Sequence, residues 1–212
     1  MKQILVYDDS LSWGIVPGTR ARFAFEKRWP GVLENRLAEY GVKTRVIEDC
    51  LNGRRTVWDD PYKSGRNGRI GIEQRIEIHS PLALVILMLG TNDFQSMHNN
   101  NAWMSAQGVA SLVGAIRAAP IEPGMPVPPI MIVVPPLPKE PRGLIAPKFS
   151  GADAKCVGLA DAYRQVAESL TCTFFDANAV TQPSRVDGVH LDEDQHCAIG
   201  MAIADALRPI LS

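Results

Sequence analysis

Four short stretches hold the side chains whose types and spacing could do chemistry: ILVYDDSLSWG near the N-terminus, CLNGRRT, MLGTND, and VDGVHLD ahead of the C-terminal segment. The first sets Ser10 directly after an apolar run, where a hydroxyl could be presented as a nucleophile. The same run ends in Asp8-Asp9, a pair that could instead bind a metal. A serine nucleophile needs a general base, an acid to orient that base, and donors for the oxyanion of a tetrahedral intermediate. In VDGVHLD, Asp187 precedes His190 within a Gly-containing turn, a spacing that lets the carboxylate reach one imidazole nitrogen while the other faces Ser10. Gly53 has no side chain and can bring its backbone N–H close to a substrate oxygen, and Asn92 carries an amide that can donate to the same atom. Taken singly, each has a structural alternative: a turn glycine, a loop asparagine capping the next segment, a hydrogen-bonded histidine.

The acidic-pair reading does not collect the partners it needs. An apolar strand ending in Asp-Asp resembles the opening of response-regulator receiver domains, where such a pair holds magnesium beside a third Asp at the end of the central strand. Here LALVILMLGTND stays apolar through Met88 and Leu89, and Lys139 is followed by Glu140 where that family has Pro. A motif counts only in its structural context. His196, with Asp192, Glu193 and Asp194 nearby, is not read as a metal site either, because acids in the first turn of a helix are favoured by the macrodipole alone. His79 and His98 are read as structural or solvent-exposed.

The elements that would position these residues follow from hydrophobic periodicity. Uninterrupted apolar runs at Ile4–Val6, Leu82–Leu89, Ile130–Val134 and Thr173–Phe175 fit strands buried on both faces of a parallel sheet, and the more alternating Val42–Ile47 fits a strand nearer an edge. Trp29, Val32, Leu33, Leu37 and Tyr40 fall on one helical stripe that Gly41 ends, and further helices are expected over Ile70–His79, Ala102–Ala118, Ala152–Leu170 and Glu193–Leu211. Asp192 with Gln195 has the form of a capping box for the last. Alternating strands and helices imply a doubly wound sheet whose ligands sit beyond the carboxyl ends of the strands, where Ser10, Asn52-Gly53 and Gly90–Asp93 all fall. Two long stretches, Ile15–Arg28 and Pro135–Ser150, have the length of binding loops or lids. Arg54, Arg55, Asp59 and Asp60 read as a solvated charged loop, or else a subunit contact.

Bulk composition narrows the rest. The chain has 212 residues, 46% of them hydrophobic, enough for one sizeable core. Its 22 basic and 23 acidic side chains, without a basic run, argue against a nucleic-acid partner. Four scattered cysteines form no C-x-x-C pair and fit a reducing, cytoplasmic setting. No stretch reaches membrane-spanning length, and Asp8 breaks the first apolar run before it could serve as a signal-peptide core.

Ser after the first strand, Gly after the second, Asn after the third and D-x-x-H before the last helix is a block order that resembles the SGNH (GDSL-type) hydrolases, and in particular their small arylesterase and acyltransferase branch. DSLSWG, the stretch from Arg22 to Leu33, LNGRRT followed by Asp59–Pro61, VILMLGTND, VVPPLP and FFDA carry the likeness over nearly the whole chain. The resemblance implies a single SGNH-hydrolase domain over 1–212, an α/β chain folded as a three-layer α/β/α sandwich with a mostly parallel five-stranded sheet, flavodoxin-like in its winding. It further implies Ser10 as nucleophile, His190 as base, Asp187 as orienting acid, and the Ser10 and Gly53 amides with Asn92 as oxyanion hole. The implied activity is a serine esterase acting on small aryl or alkyl esters with short acyl groups, able to pass the acyl group to alcohols. It needs no metal or organic cofactor and has a small-molecule ester as its partner. Carbohydrate O-deacetylation with the same triad, or a non-catalytic binding protein on the same scaffold, are the alternatives. Trp13 and Ile15 are expected to line the acyl pocket, and the long loops to be ordered by a neighbouring copy in a homo-oligomer. One position departs: the family usually has Gly where this chain has Asp8, so a backbone turn there would be harder and a carboxylate would lie near the developing oxyanion.

Overall fold

The computed structural model describes residues 1–211. Five strands, β1 (Lys2–Asp8), β2 (Thr44–Cys50), β3 (Leu84–Met88), β4 (Ile130–Val134) and β5 (Thr173–Asp176), form one sheet in the order β2-β1-β3-β4-β5, with every neighbouring pair parallel. The alternating run indeed lies at an edge. Successive side chains of a strand leave opposite faces, so the continuous apolar runs feed two cores. Ile4, Val6, Leu84, Ile86, Met131 and Val133 meet α2 (Trp29–Glu39) and α7 (Glu193–Leu211), while Leu5, Tyr7, Val85, Leu87 and Ile132 meet α3 (Ile72–His79), α4 (Ala102–Arg117) and α6 (Leu159–Ser169). Each fully buried aliphatic side chain contributes about 1.5–3 kcal/mol, so two continuous cores hold the sheet rigidly between its helix layers.

Register fixes the site. Asp8 pairs with Cys50 on one side and Met88 on the other, so the loops after β1, β2 and β3 leave the sheet at one level. Those loops carry Ser10, Gly53 and Asn92.

Several boundaries differ from the periodicity. The helix expected over Ala152–Leu170 is two, α5 (Ala152–Lys155) and α6, because Gly158 takes a left-handed conformation at φ 81° and restarts the helix. Gly71 does the same ahead of α3. The stretch from Ile15 to Arg28 is tied within the chain: Ile15 bridges to Arg22, and the Arg28 guanidinium holds Glu48 at 2.8 and 2.5 Å and the Phe23 carbonyl at 2.7 Å. The last helix starts as its capping box indicates, with the Asp192 amide donating to Gln195 Oε1 at 2.8 Å.

Candidate active site

At the end of β1 the two aspartates part company. Asp9 caps a short helix, α1 (Ser10–Trp13), its Oδ1 accepting the Leu11 amide at 2.9 Å, so Ser10 is the first helical residue and its own N–H has no acceptor within the helix. Asp8 turns to the other side. It remains in the extended ladder, needs no glycine-like conformation, and is fully buried, accepting a hydrogen bond from the Ser12 hydroxyl, which in turn accepts from Trp29 Nε1 at 2.6 Å. Burial first, and the adjacent Asp9 charge second, push its pKa well above the ordinary carboxylate value. The carboxyl expected to face the oxyanion is therefore packed behind the nucleophile, where burial disfavours its charge.

His190 and Asp187 come from the turn before α7. Gly188 makes this turn at φ 73°, and a Cβ there would lie 2.3 Å from the Lys139 carbonyl oxygen, so no larger residue fits. Asp187 Oδ1 accepts the amides of Val189 and His190 at 3.0 and 2.9 Å, which aims Oδ2 at His190 Nδ1, 2.7 Å away. Burial works against the Asp187 charge, but the hydrogen bond and charge of His190 and the two amides outweigh it and hold the carboxyl at about 2. With Nδ1 engaged, Nε2 is the nitrogen left for the cavity.

That cavity, of about 80 Å³, is bordered by Ser10, Gly53, Asn92 and His190, with Ile15 and Phe149 as apolar walls. Trp13, expected beside Ile15, does not border it; its ring lies under the Arg22 guanidinium, 4.7 Å from the ring centre. The four residues of α1 are too few for periodicity to choose its faces, but the reversal at Gly14, left-handed at φ 83°, carries Ile15 back to the site. Ser10 Oγ and His190 Nε2 make no hydrogen bond among the described residues, as free enzymes often leave such pairs loose until substrate binds. Gly53, at φ 84°, gives its amide to no acceptor among the described residues.

These positions can be compared with known proteins. The model of the GDSL-like lipase/acylhydrolase family matches residues 9–197. The chain belongs to this family. It is an SGNH-type carboxylic ester hydrolase, a serine esterase by family, and its all-parallel α/β sheet is the one shared by its structural neighbours. The inhibitor-bound aryl esterase of M. smegmatis is 34% identical across 100% of both chains, with a TM-score of 0.93. Est24, a carbohydrate acetylesterase of Sinorhizobium meliloti, is 31% identical over 99% of this chain and 100% of its own, with a TM-score of 0.92. A carbohydrate acetylesterase family member of the same organism is 35% identical over 100% and 99%, also at 0.92. No curated protein sequence matches the chain.

In this SGNH hydrolase a buried network fixes Asn92, and most of its members escaped the sequence reading. Arg55 has only donors, so the Gln95 oxygen must face it, at 2.5 Å. The Gln95 amide nitrogen then donates to Asn92 Oδ1 at 2.5 Å, which leaves the Asn92 nitrogen on the cavity side, donating to Asp9 Oδ2 at 2.7 Å and to the Arg54 carbonyl at 3.1 Å. The orientation of an amide that could act as a donor thus follows from the fixed charge of Arg55, two hydrogen bonds away. The charged loop read as solvated is the opposite: Arg55 is fully buried, holding Asp60 at 2.9 Å and His98 Nε2 at 2.6 Å, and Arg54 pairs with Asp49 at 2.6 Å over the ring of Tyr7. Two paired guanidiniums cost less to bury than their charge suggests, because each meets a carboxylate and further acceptors: the Asp8 and Asp49 carbonyls for Arg54, the Gly53 carbonyl and Gln95 for Arg55.

Asp93 binds the second and third blocks together. It accepts the Thr56 amide at 3.0 Å and the hydroxyls of Thr56 and Ser105, both at 2.7 Å, and Ser105 meets Tyr163, which donates to the Leu89 carbonyl at 2.9 Å. Gly90 and Gly108 make room for this: a Cβ at either would lie 2.3 Å from the Tyr163 hydroxyl or 2.2 Å from Thr56 Oγ1. Burial dominates here and raises Asp93 to about 6, and it raises Asp9 to about 6 as well, against the Leu11 amide, His190, Asn92 and Arg54. His196 is buried in the α2 and α7 layer, its Nδ1 accepting the Trp29 amide at 3.3 Å. Among the described residues no helix is long and apolar enough to cross a membrane.

Proposed function

We propose that this esterase cleaves small esters through an acyl-enzyme on Ser10. Ser10 Oγ attacks the ester carbonyl carbon while its proton passes to His190 Nε2, and Asp187 holds the imidazole in the tautomer that accepts it. The carbonyl electrons move onto oxygen, which takes the amides of Ser10 and Gly53 and an Asn92 hydrogen now directed at Arg54. Collapse expels the alcohol with the proton from His190, and water repeats the sequence to release the acid. The observation that carries this reading is the Asp187–His190 pair at 2.7 Å opening on the same cavity as Ser10, Gly53 and Asn92.

A cavity of about 80 Å³ is far below the size of pockets for drug-sized ligands and favours a short acyl group. Acyl transfer to an alcohol belongs to the same chemistry, since an alcohol can replace water in the second half. Acetyl removal from a carbohydrate is the second reading, supported by the likeness to Est24. We take the chain to work as a homo-oligomer, an idea supported by the solvent-facing Tyr62 and Leu144 on loops beside the cavity, and in the cytoplasm, supported by four unpaired cysteines. A fluorophosphonate probe tests the reading: one adduct per chain on Ser10, lost in Ser10→Ala, is expected. No adduct on an intact chain would favour a binding protein on this scaffold.

A further inference from the structure

Three cations border the cavity from three separate parts of the chain. Arg20 comes from the loop between α1 and α2, Lys63 from the loop after β2, and Lys148 from the 3₁₀ turn Gly143–Phe149. All three are exposed, and none has an anionic side-chain partner among the described residues. Elsewhere basic groups near the sheet edge are paired, as Arg28 is with Glu48, Arg54 with Asp49 and Arg69 with Glu73. Among the described residues one carboxylate borders the cavity, Asp60, and it is engaged by Arg55 at 2.9 Å and by the amides of Tyr62 and Lys63 at 2.8 and 3.1 Å. In a chain of net charge -1, this local excess of positive charge is a matter of placement.

Within the cluster Lys63 acts against the charge of Lys148. Lys148 has its pKa lowered, by burial first, then by Arg55, with Lys63 adding to the effect and Asp60 and Asp9 opposing it. Like charges gathered without a counter-ion around a narrow, partly desolvated opening raise the local potential, and an anion arriving there lowers it.

Resting on the esterase reading of Ser10, we propose that the physiological ester is an anion, bearing a carboxylate or phosphate-like group on its acyl or its alcohol portion that Lys148, Lys63 and Arg20 hold. Neutral activated esters would then be poor stand-ins for the natural substrate. Electrostatic recognition at an exposed rim also has a signature: it acts mainly on capture, so it appears in kcat/KM and weakens with salt.

The test uses the full chain and three esters: neutral phenyl acetate, 4-acetoxybenzoate with its charge on the alcohol side, and phenyl hemisuccinate with its charge on the acyl side. Each kcat/KM is divided by the hydroxide-catalysed rate of the same ester to remove intrinsic reactivity. At low ionic strength one charged ester should exceed phenyl acetate by about tenfold, and the arm that does so locates the charge. Lys148→Glu, with its fold checked by circular dichroism, should reverse that preference, and Lys63→Glu should reduce it. Charged esters no better than phenyl acetate in the wild type, or a preference unmoved by Lys148→Glu, would overturn the proposal. Failure of the esterase reading looks different: phenyl acetate hydrolysis would be absent, or would survive Ser10→Ala.

Discussion

The floor of the cavity and its rim obey opposite rules. Beneath Ser10, the polar side chains of Asp9, Asn92, Asp93, Gln95 and Arg55 are buried, and each is held by two or more hydrogen bonds, at least one of them to another block of the chain. At the rim, Arg20, Lys63 and Lys148 are exposed and have no anionic side-chain partner among the described residues. A buried group left unsatisfied costs more than a satisfied one gains, so the floor is either fully assembled or not assembled at all. Surface charges carry no such penalty and can change one at a time. Reaction type is thereby built into the floor, and substrate choice is left to the rim.

The largest break in that contrast should come from the reacting groups. Ser10→Ala and His190→Ala should each lower kcat on an activated acetate ester about 10⁴-fold while the fold persists, because triad members act as a unit. Near-wild-type turnover in either would remove that residue from the mechanism.

The floor should next betray itself through pH. Asp93 is held at about 6 against its ordinary 3.8, so between those values the folded chain binds more protons than the unfolded one, and this group's contribution to stability falls as pH rises. His196, lowered to about 3 by burial and then by Arg28 and His190, acts in the opposite direction over an overlapping window. Comparing wild type with Asp93→Asn cancels it. The stability advantage of wild type over this variant should shrink by up to about 3 kcal/mol from about pH 4 to pH 7 in urea titrations. An advantage that grows with pH would mean that Asp93 is comfortable as an anion.

Gln95→Glu sharpens the comparison further, since it keeps the acceptor for Arg55 but removes the donor to Asn92 Oδ1. With the amide of Asn92 free to turn over, kcat should fall about tenfold, with KM little changed. Unchanged kcat would show that Asn92 needs no such positioning. The smallest effect belongs to the rim. Raising salt should lower kcat/KM for the preferred anionic ester about threefold while leaving the neutral ester nearly untouched, by the screening of exposed charges.

The floor and the rim were also unequally legible in the sequence. Ser10, Gly53 and Asn92 each follow a strand of a parallel sheet, and ladder register places such positions side by side whatever the loops do. Arg55 was hidden because its burial depends on Asp60, Gln95 and His98 arriving from elsewhere, and a guanidinium in a loop ordinarily faces water. Asp8 and Asp9 share a residue type, yet strand alternation puts Asp8 with Ile4 and Val6, on the side of Trp29, and that alternation was readable. Asp93 stood beside Asn92 in GTND, but only Thr56 and Ser105 give it a role. Fold class followed from apolar runs, whereas the break at Gly158 followed from a backbone angle that periodicity does not report.

Rapid-quench mass spectrometry during turnover of an activated acetate ester tests the central claim most directly. The account predicts a burst of alcohol of about one equivalent per chain, with a single acetyl group on the peptide holding Ser10 that water then removes. Acetyl on another residue, or sustained turnover by Ser10→Ala, would contradict it.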